Sequence, residues 1–541
     1  MRTSLRYIAS RVGFLLVPVL LLGCGTKDKS VATVDPSLGR ELGSTIGSVA
    51  DVAQPEPVEV EGYGLVAGLA GTGSGACPPD VRAYLKQYIL SQVPGSSVAP
   101  DELIDSKTTA VVRLEGLVPA TCVRGDRFDV KVTPIAGADT TSLHGGWLYR
   151  ADLKLAGTFG PSTRTLAAVE GPVFIDTIGV AQPDPLTGYV LGGGVAQYDY
   201  VGTVQLRRAD FAMASAIRNR LNERYGADTA RAVSPRFVEF TIPPDFRERR
   251  ARFVSMVAAT FVADSLEETP IRVELLAQQL VTSQDKEPAE LALEAVGRES
   301  LPKLRSLLNV PDEEVRLRAA RCVLALRDDA TLETLRTIAL DEASPYRREA
   351  LDAVLVSARR NDAISLGRRM LRDTDPQMVL AAYEALRRME DVAVRREPIG
   401  RGFHLEQVVQ TDRRAVYVSR SGAPRVVLFG SPLDCHDDIF VEAANETIIV
   451  NSRPGQDHVT VTRKAISRPG VIGPVRSGFA VSQIVRILGS ERPRAEAESI
   501  SGLGVPYNDV IAVLEQLCAK DAVTAEFWAG PPPKIGRIVK E

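Results

Sequence analysis

"VEGYGLVAGLAGTGSGACPPDVRAYL", Val60–Leu85, crowds Gly62, Gly64, Gly68, Gly71, Gly73 and Gly75 into fourteen positions around an apolar run. Such a stretch is either a loop that cradles a phosphate or a strand and turn that bring backbones close together. A dinucleotide loop needs G-x-G-x-x-G. Leu65, Val66 and Ala67 separate Gly64 from Gly68, which is one residue too many. Gly68 and Gly73 have the spacing of a Walker loop, but Ser74 and Gly75 stand where Lys and Ser/Thr are required. Neither template fits. The glycines therefore read as scaffold, permitting positive φ and close packing of chain on chain. The segment that follows places Val81, Tyr84, Leu85, Tyr88 and Ile89 on one stripe of a helix.

Working outward, strand patterns dominate the first half. Phe128, Val130 and Val132 alternate with Arg127, Asp129 and Lys131, and "TAVVRLEGLV", "GGWLYRADLKL" and "RFVEFTI" read the same way. Asp210 caps a predicted helix over "FAMASAIRNRLNERYG", which Gly226 ends. The texture changes near Asp285. From there to about 395, Arg, Ala, Leu and Glu replace Gly and strand patterns. "VRLRAARCVLALRDD", "YRREALDAVLVSARRND" and "MVLAAYEALRRMED" overlay with Ala319, Ala350 and Ala382 in equivalent places. A recurrence of paired helices is the mark of an α-solenoid of HEAT type, with a plain helical bundle as the alternative. Strand patterns return after Arg395. The fold class expected is α+β, with β-rich domains and an inserted all-α HEAT-like solenoid. An insertion of this kind predicts that excising 285–395 leaves the flanking domains folded.

The chain has 541 residues, 45% hydrophobic and 25% charged, with a net charge of −3. It is long enough for two to four cores, and its near balance of charge gives no nucleic-acid signature. Arg2, Arg6 and Arg11 precede the apolar run "VGFLLVPVLLLG", and Leu21-Leu22-Gly23-Cys24 resembles a bacterial lipobox. Cys24 is thus the candidate lipidation site; an ordinary secretory signal with an accidental cysteine is the alternative. Either reading exports the body. The division expected is a lipoprotein-type signal peptide at 1–23, a polar tether at 24–47, a mixed region at 48–284, repeats at 285–395, a second mixed region at 396–530 and a tail at 531–541. An oxidising compartment permits disulfides. The candidate pairs are Cys77 with Cys122 and Cys435 with Cys518, leaving Cys322 as a buried helical residue.

No constellation carries catalysis. "DCHDD" (Asp434–Asp438) cannot converge on one ion as a strand, because neighbouring side chains point to opposite faces, so it reads as a solvated turn. "TTSLHGGW" (Thr140–Trp147) reads as a tight turn, with Trp147 packing inward. His144, His404 and His458 show no partner in the sequence. Arginine-rich segments such as "FRERRARF" (246–253) read as solvated helix faces, with contact to an anionic partner as the alternative. No catalytic residue, metal ligand or cofactor is assigned.

The glycine stretch has a further reading. "GYGLVAGLAGTG" (62–73) closely resembles the opening of flagellar P-ring proteins, of the approximate form GYGLVVGLDGTGD. The similarity continues at Pro119, Gly125, Asp129, Val130, Val132, Ser142, Leu143, Gly145, Gly146 and Leu148. "ADFAMASAIRNRLNERYG" and "FVEFTIPPDFRERRARFV" are also similar to the family, and "GLGVPYNDVIAVLEQLCAKDAVTAEF" (Gly502–Phe527) resembles its closing segment. The resemblance implies a non-enzymatic structural subunit of the basal body. It would sit in the periplasm as a closed homo-oligomeric ring, with the flagellar rod, L-ring proteins and peptidoglycan as partners and no nucleic acid. A lipid on Cys24 would add an outer-membrane anchor. The lipobox and the solenoid depart from the family pattern. They leave open a non-flagellar outer-membrane lipoprotein that uses its repeats as a protein-binding scaffold, and an enzyme built around His436.

Overall fold

The structure is a computed structural model that describes residues 42–92, 99–158, 163–180, 182–263, 265, 267–444, 446–464, 471–491 and 502–535. Cys24, the signal segment and most of the tether lie outside the described residues, as does the end of the tail.

After β1 (Ala50–Val52), the glycine stretch becomes β2 (Val58–Ala67). It pairs on one side with β3 (Thr109–Val118), which leads to β4 (Arg127–Pro134), β5 (Trp147–Leu155), β6 (Ala167–Pro172) and β7 (Gly188–Ala196). These six strands close an antiparallel barrel in the order β2-β3-β4-β7-β6-β5. Val60, Val66, Leu114, Val130, Val132 and Leu148 fill it. The period of two that marks these strands in the sequence separates this interior from an outer face. Helix Pro79–Gln92 covers part of that outer face, setting Val81 and Leu85 against Leu65 and Val111. Closure removes the free strand edges that invite uncontrolled pairing.

β8 (Val201–Leu206), β9 (Ala230–Ala232) and β10 (Phe237–Thr241) join β1 in a second sheet, ordered β1-β8-β10-β9. Helix Phe211–Tyr225 packs on it, along with Arg250–Ala259, through a core that includes Ile217, Phe240 and Phe253. Asp210 accepts hydrogen bonds from the amides of Ala212 and Met213, and Gly226 turns the chain at φ +112°.

Helices then follow one another from Glu268 to Arg388. Glu268–Thr282 pairs with Glu287–Val296 across residue 285, and the series ends with Arg347–Ser357, Arg360–Met370 and Pro376–Arg388. Ala319, Ala350 and Ala382 are all fully buried.

The chain returns to β structure in β11 (Val394–Ile399), β12 (Phe403–Val408), β13 (Ala415–Val418), β14 (Arg425–Phe429), β15 (Ile439–Ala443), β16 (Ile448–Ser452), β17 (Val459–Lys464), β18 (Val471–Ser477) and β19 (Glu526–Ala529). One sheet runs β11-β12-β14-β13-β19 and the other β15-β16-β17-β18. β13 and β14 are buried along their whole length because the five-stranded sheet is covered on both faces. Val408, Tyr417, Val427 and Phe429 belong to the core of the helical repeats. Leu405, Val416, Val426 and Leu428 pack with helices Val481–Gly489 and Tyr507–Ala519. The repeats are thus not a free-standing insertion. Excising them would strip one face of this sheet, and the flanks would not be left intact.

Candidate functional site

The glycine stretch divides between a strand and the irregular segment that follows it. Gly62 and Gly64 lie inside the barrel wall in β2. A Cβ at Gly62 would overlap the Asp152 carbonyl of β5, and one at Gly73 would overlap the Thr109 carbonyl of β3. These glycines let neighbouring backbones meet at the closure of the barrel. The turn at Thr140–Trp147 sits at the same end, and Trp147 is half-buried there, not packed into the core.

The sites that organise the molecule are junctions between its parts, and three of them centre on buried carboxylates. At the first, Glu290 and Glu294 of helix Glu287–Val296 are 0% and 2% exposed. Arg252 reaches both, at 2.8 and 2.7 Å, and Arg249 donates to Glu294 at 2.9 Å. From helix Glu313–Ala325, Arg318 and Arg321 donate to Glu290 at 2.8 and 2.6 Å. Burial pushes the Glu290 carboxyl up, but Arg252, Arg321 and Arg318 outweigh it and hold the group below its ordinary value. Three of the four arginines of "FRERRARF" thus meet carboxylates of the chain itself: Arg249 and Arg252 this pair, and Arg250 Asp126 at the barrel. Arg247, the fourth arginine of the segment, is exposed. A signal was present in "EPAELALEAV", where, after Glu287 in the first turn, two glutamates four residues apart share one face of a helix whose remaining residues are apolar.

At the second junction, Glu406 of β12 is fully buried beneath the last repeat helix. Arg387 donates to it at 2.8 Å, and the Tyr383 hydroxyl donates to it as well. Burial raises the Tyr383 phenol well above its ordinary value, so it stays a donor. Glu384 of the same helix pairs with Arg425 of β14.

The third junction seats the barrel on the carboxy-terminal core. Asp129 accepts from the amides of Gly192 and Gly422 at 2.7 and 2.9 Å and from the Ser421 hydroxyl at 2.6 Å. Arg420 clasps Asp176 at 2.5 Å. Phe174 enters the carboxy-terminal core, with its ring 5.8 Å from that of the buried Tyr507. His144 has a partner after all: Nε2 lies 2.9 Å from Asp509 Oδ1, 365 residues away.

The remaining candidates are placed individually. In "DCHDD", Cys435 enters the core while Asp434, His436, Asp437 and Asp438 are exposed. His404 is half-buried and His458 pairs with Asp457. Among the described residues no group of three His, Cys, Asp or Glu side chains is placed to hold a metal. The five described cysteines are free thiols. Cys77 and Cys122 occupy different clusters, one outside and one inside the barrel wall. Cys435 and Cys518 share one core, where burial pushes their thiols up to about 12 and about 11.

Comparison with known proteins divides the chain at the first junction. Residues 45–285 match the family described as flagellar P-ring protein, and residues 273–355 match HEAT repeats. Among curated relatives, a flagellar P-ring protein of Hydrogenovibrio crunogenus is 29% identical over 42% of this chain and 61% of its own length. Those of Thermotoga maritima and Desulfotalea psychrophila are each 30% identical, over 36% and 40% of this chain and 60% and 59% of their own lengths. The chain therefore spans about three fifths of the length of the curated relatives it matches. Its amino-terminal half is thus similar to flagellar P-ring proteins, and the helices that follow are similar to HEAT repeats. The match ends before the closing segment Gly502–Phe527.

Proposed function

We propose that the chain is a structural subunit of the flagellar basal body that forms, or resembles the subunit of, the periplasmic P ring around the rod, and that it has no enzymatic role. The match over 45–285 carries this reading. The junctions support it, because a subunit that repeats around an axis must hold its contact surfaces in fixed relation, and buried ion pairs specify geometry more than they stabilise. Rod and L-ring proteins, with the surrounding peptidoglycan, are the proposed neighbours. A lipid on Cys24 is proposed to tie each copy to the outer membrane, and the basic segment and apolar run before it support that anchor. Cys435 and Cys518, which share a core, are the candidate pair for a disulfide after export.

Imaging of basal bodies in native envelopes, with and without the gene, tests the ring. Loss of the periplasmic ring density is expected, and an unchanged basal body would favour the alternative of a non-flagellar lipoprotein scaffold. Cys24→Ser tests the anchor. The variant is expected in the soluble periplasmic fraction, and retention on membranes in high salt would remove the lipid from the account.

A further inference from the structure

A cleft of about 750 Å³ runs between the barrel wall and the β11–β12 end of the five-stranded sheet. Five guanidiniums line it: Arg127 and Arg150 from the barrel, and Arg387, Arg396 and Arg401 from the other side. Glu170 is the one carboxylate among the lining side chains. Arg387 and Arg396 are answered by the buried Glu406, and Arg401 by Glu491. Arg127 and Arg150 reach no carboxylate among the described residues; Arg127 donates to the Gly192 carbonyl at 3.1 Å. The cleft thus keeps an excess of positive charge on the barrel side, next to the half-buried indole of Trp147. His404 in its wall is held below its ordinary value by burial and by the neighbouring Arg396, consistent with a positive local field.

Its complement lies elsewhere on the same chain. β15 is an edge strand of the four-stranded sheet. Its alternation turns Phe440 and Glu442 outward, and Phe440 is 57% exposed. Asp437 and Asp438 are exposed just before it, and neither they nor Glu442 pairs with a cation among the described residues. Lys520 is the cation at this edge, and it donates to the Phe440 carbonyl at 3.2 Å. An exposed aromatic flanked by unpaired carboxylates is the chemistry that a cleft holding a tryptophan and spare guanidiniums would take. Helices Val481–Gly489 and Tyr507–Ala519 pack into the core that lies between β15 and the five-stranded sheet. The two surfaces thus belong to different layers, and a contact between them joins two copies.

We propose that the acidic edge strand β15 of one copy, with Asp437, Asp438 and Phe440, docks in the arginine-lined cleft of the next copy. This is a heterologous, head-to-tail contact of the kind that closes rings. The proposal rests on the ring reading above and names the surfaces that would build the ring.

The test uses the full chain in its native cells, with p-benzoylphenylalanine in place of Trp147. Illumination is expected to cross-link position 147 to the 434–442 peptide of a second copy. Asp437→Lys with Asp438→Lys is expected to lower the yield about tenfold or more through like-charge repulsion. Combining that pair with Arg127→Glu and Arg150→Glu restores it, a rescue that a merely misfolded variant would not give. Cross-linking at 147 to another peptide of this chain, or to a different protein, overturns the docking while leaving the ring intact. A lysine-reactive cross-linker applied to the same envelopes separates the two readings, because failure to capture any self-multimer removes the ring and the docking together.

Discussion

The barrel and the helical repeats hold their places by opposite means. The barrel closes on itself: every strand is paired on both sides, its interior is apolar, and β2 meets β5 where Gly62 has no side chain to keep them apart. The repeats cannot close, so their ends must be fixed to something else. At one end Glu290 and Glu294 receive arginines from the preceding domain, and at the other Glu406 receives Arg387 and Tyr383. Apolar surface supplies cohesion, but it tolerates sliding and alternative packing. A fully buried carboxylate with fixed donors does not, because any displacement leaves a charge unanswered in a poorly solvating interior. The difference teaches where rigidity comes from in each half: steric fit in the barrel and charge complementarity at the ends of the solenoid.

The sharpest way to break that comparison is Glu290→Ala. It removes the buried carboxylate that Arg252, Arg318 and Arg321 share and leaves each with one remaining partner, Glu294, Glu314 and Glu349, so a loss of about 3 kcal/mol, the low end for a broken buried ion pair, is expected. Urea denaturation of the full chain should show the repeats uncoupling from the amino-terminal region in an early transition. A loss below about 1 kcal/mol would mean that the apolar core alone fixes the joint. On the barrel side, Gly62→Ala forces a methyl group into the Asp152 carbonyl. It should cost about 1–3 kcal/mol, at the upper end because backbone is the obstacle. Gly71→Ala meets nothing within 4 Å but sits at φ +86°, so its expected cost is conformational strain of about 1 kcal/mol. If both substitutions cost the same, steric closure is not what the glycines provide.

Much of this architecture was legible in the chain. Period-two alternation locates β4, Asp210 and Gly226 bound their helix, and Ala319, Ala350 and Ala382 mark the helical repeat, because each signal is local and fixed by backbone geometry. The junctions were not. Arg252 lies 38 residues from Glu290, and an arginine on a helix reads the same whether it meets water or a buried carboxylate. His144 looked solitary because Asp509 comes 365 residues later, on the far side of the repeats. Nor does a strand pattern reveal which other sheet face the solenoid covers, so the repeats read as removable when they share a core with β13 and β14.

The smallest effect separates the third junction from the other two, because one of its pairs, His144 with Asp509, can be switched off. The hydrogen bond that His144 donates to Asp509 holds the imidazole above its ordinary value of ~6.5, against burial and against Arg463, which both pull it down. A folded-state value above the unfolded one means that the pair stabilises fully below the unfolded value, and that this increment is lost as pH rises through the folded value. His144 is about one third exposed, so solvent screening limits the increment to below about 1 kcal/mol. Comparing the chain with its His144→Asn variant should give the largest stability difference below about pH 6, with the two curves converging as the imidazole loses its proton. The Glu290 and Glu406 junctions pair arginines with carboxylates, and the arginines do not titrate in this range, so the Glu290→Ala penalty should stay flat over the same interval. A His144→Asn difference that is equally flat with pH would place the barrel contact in the same class as the other two.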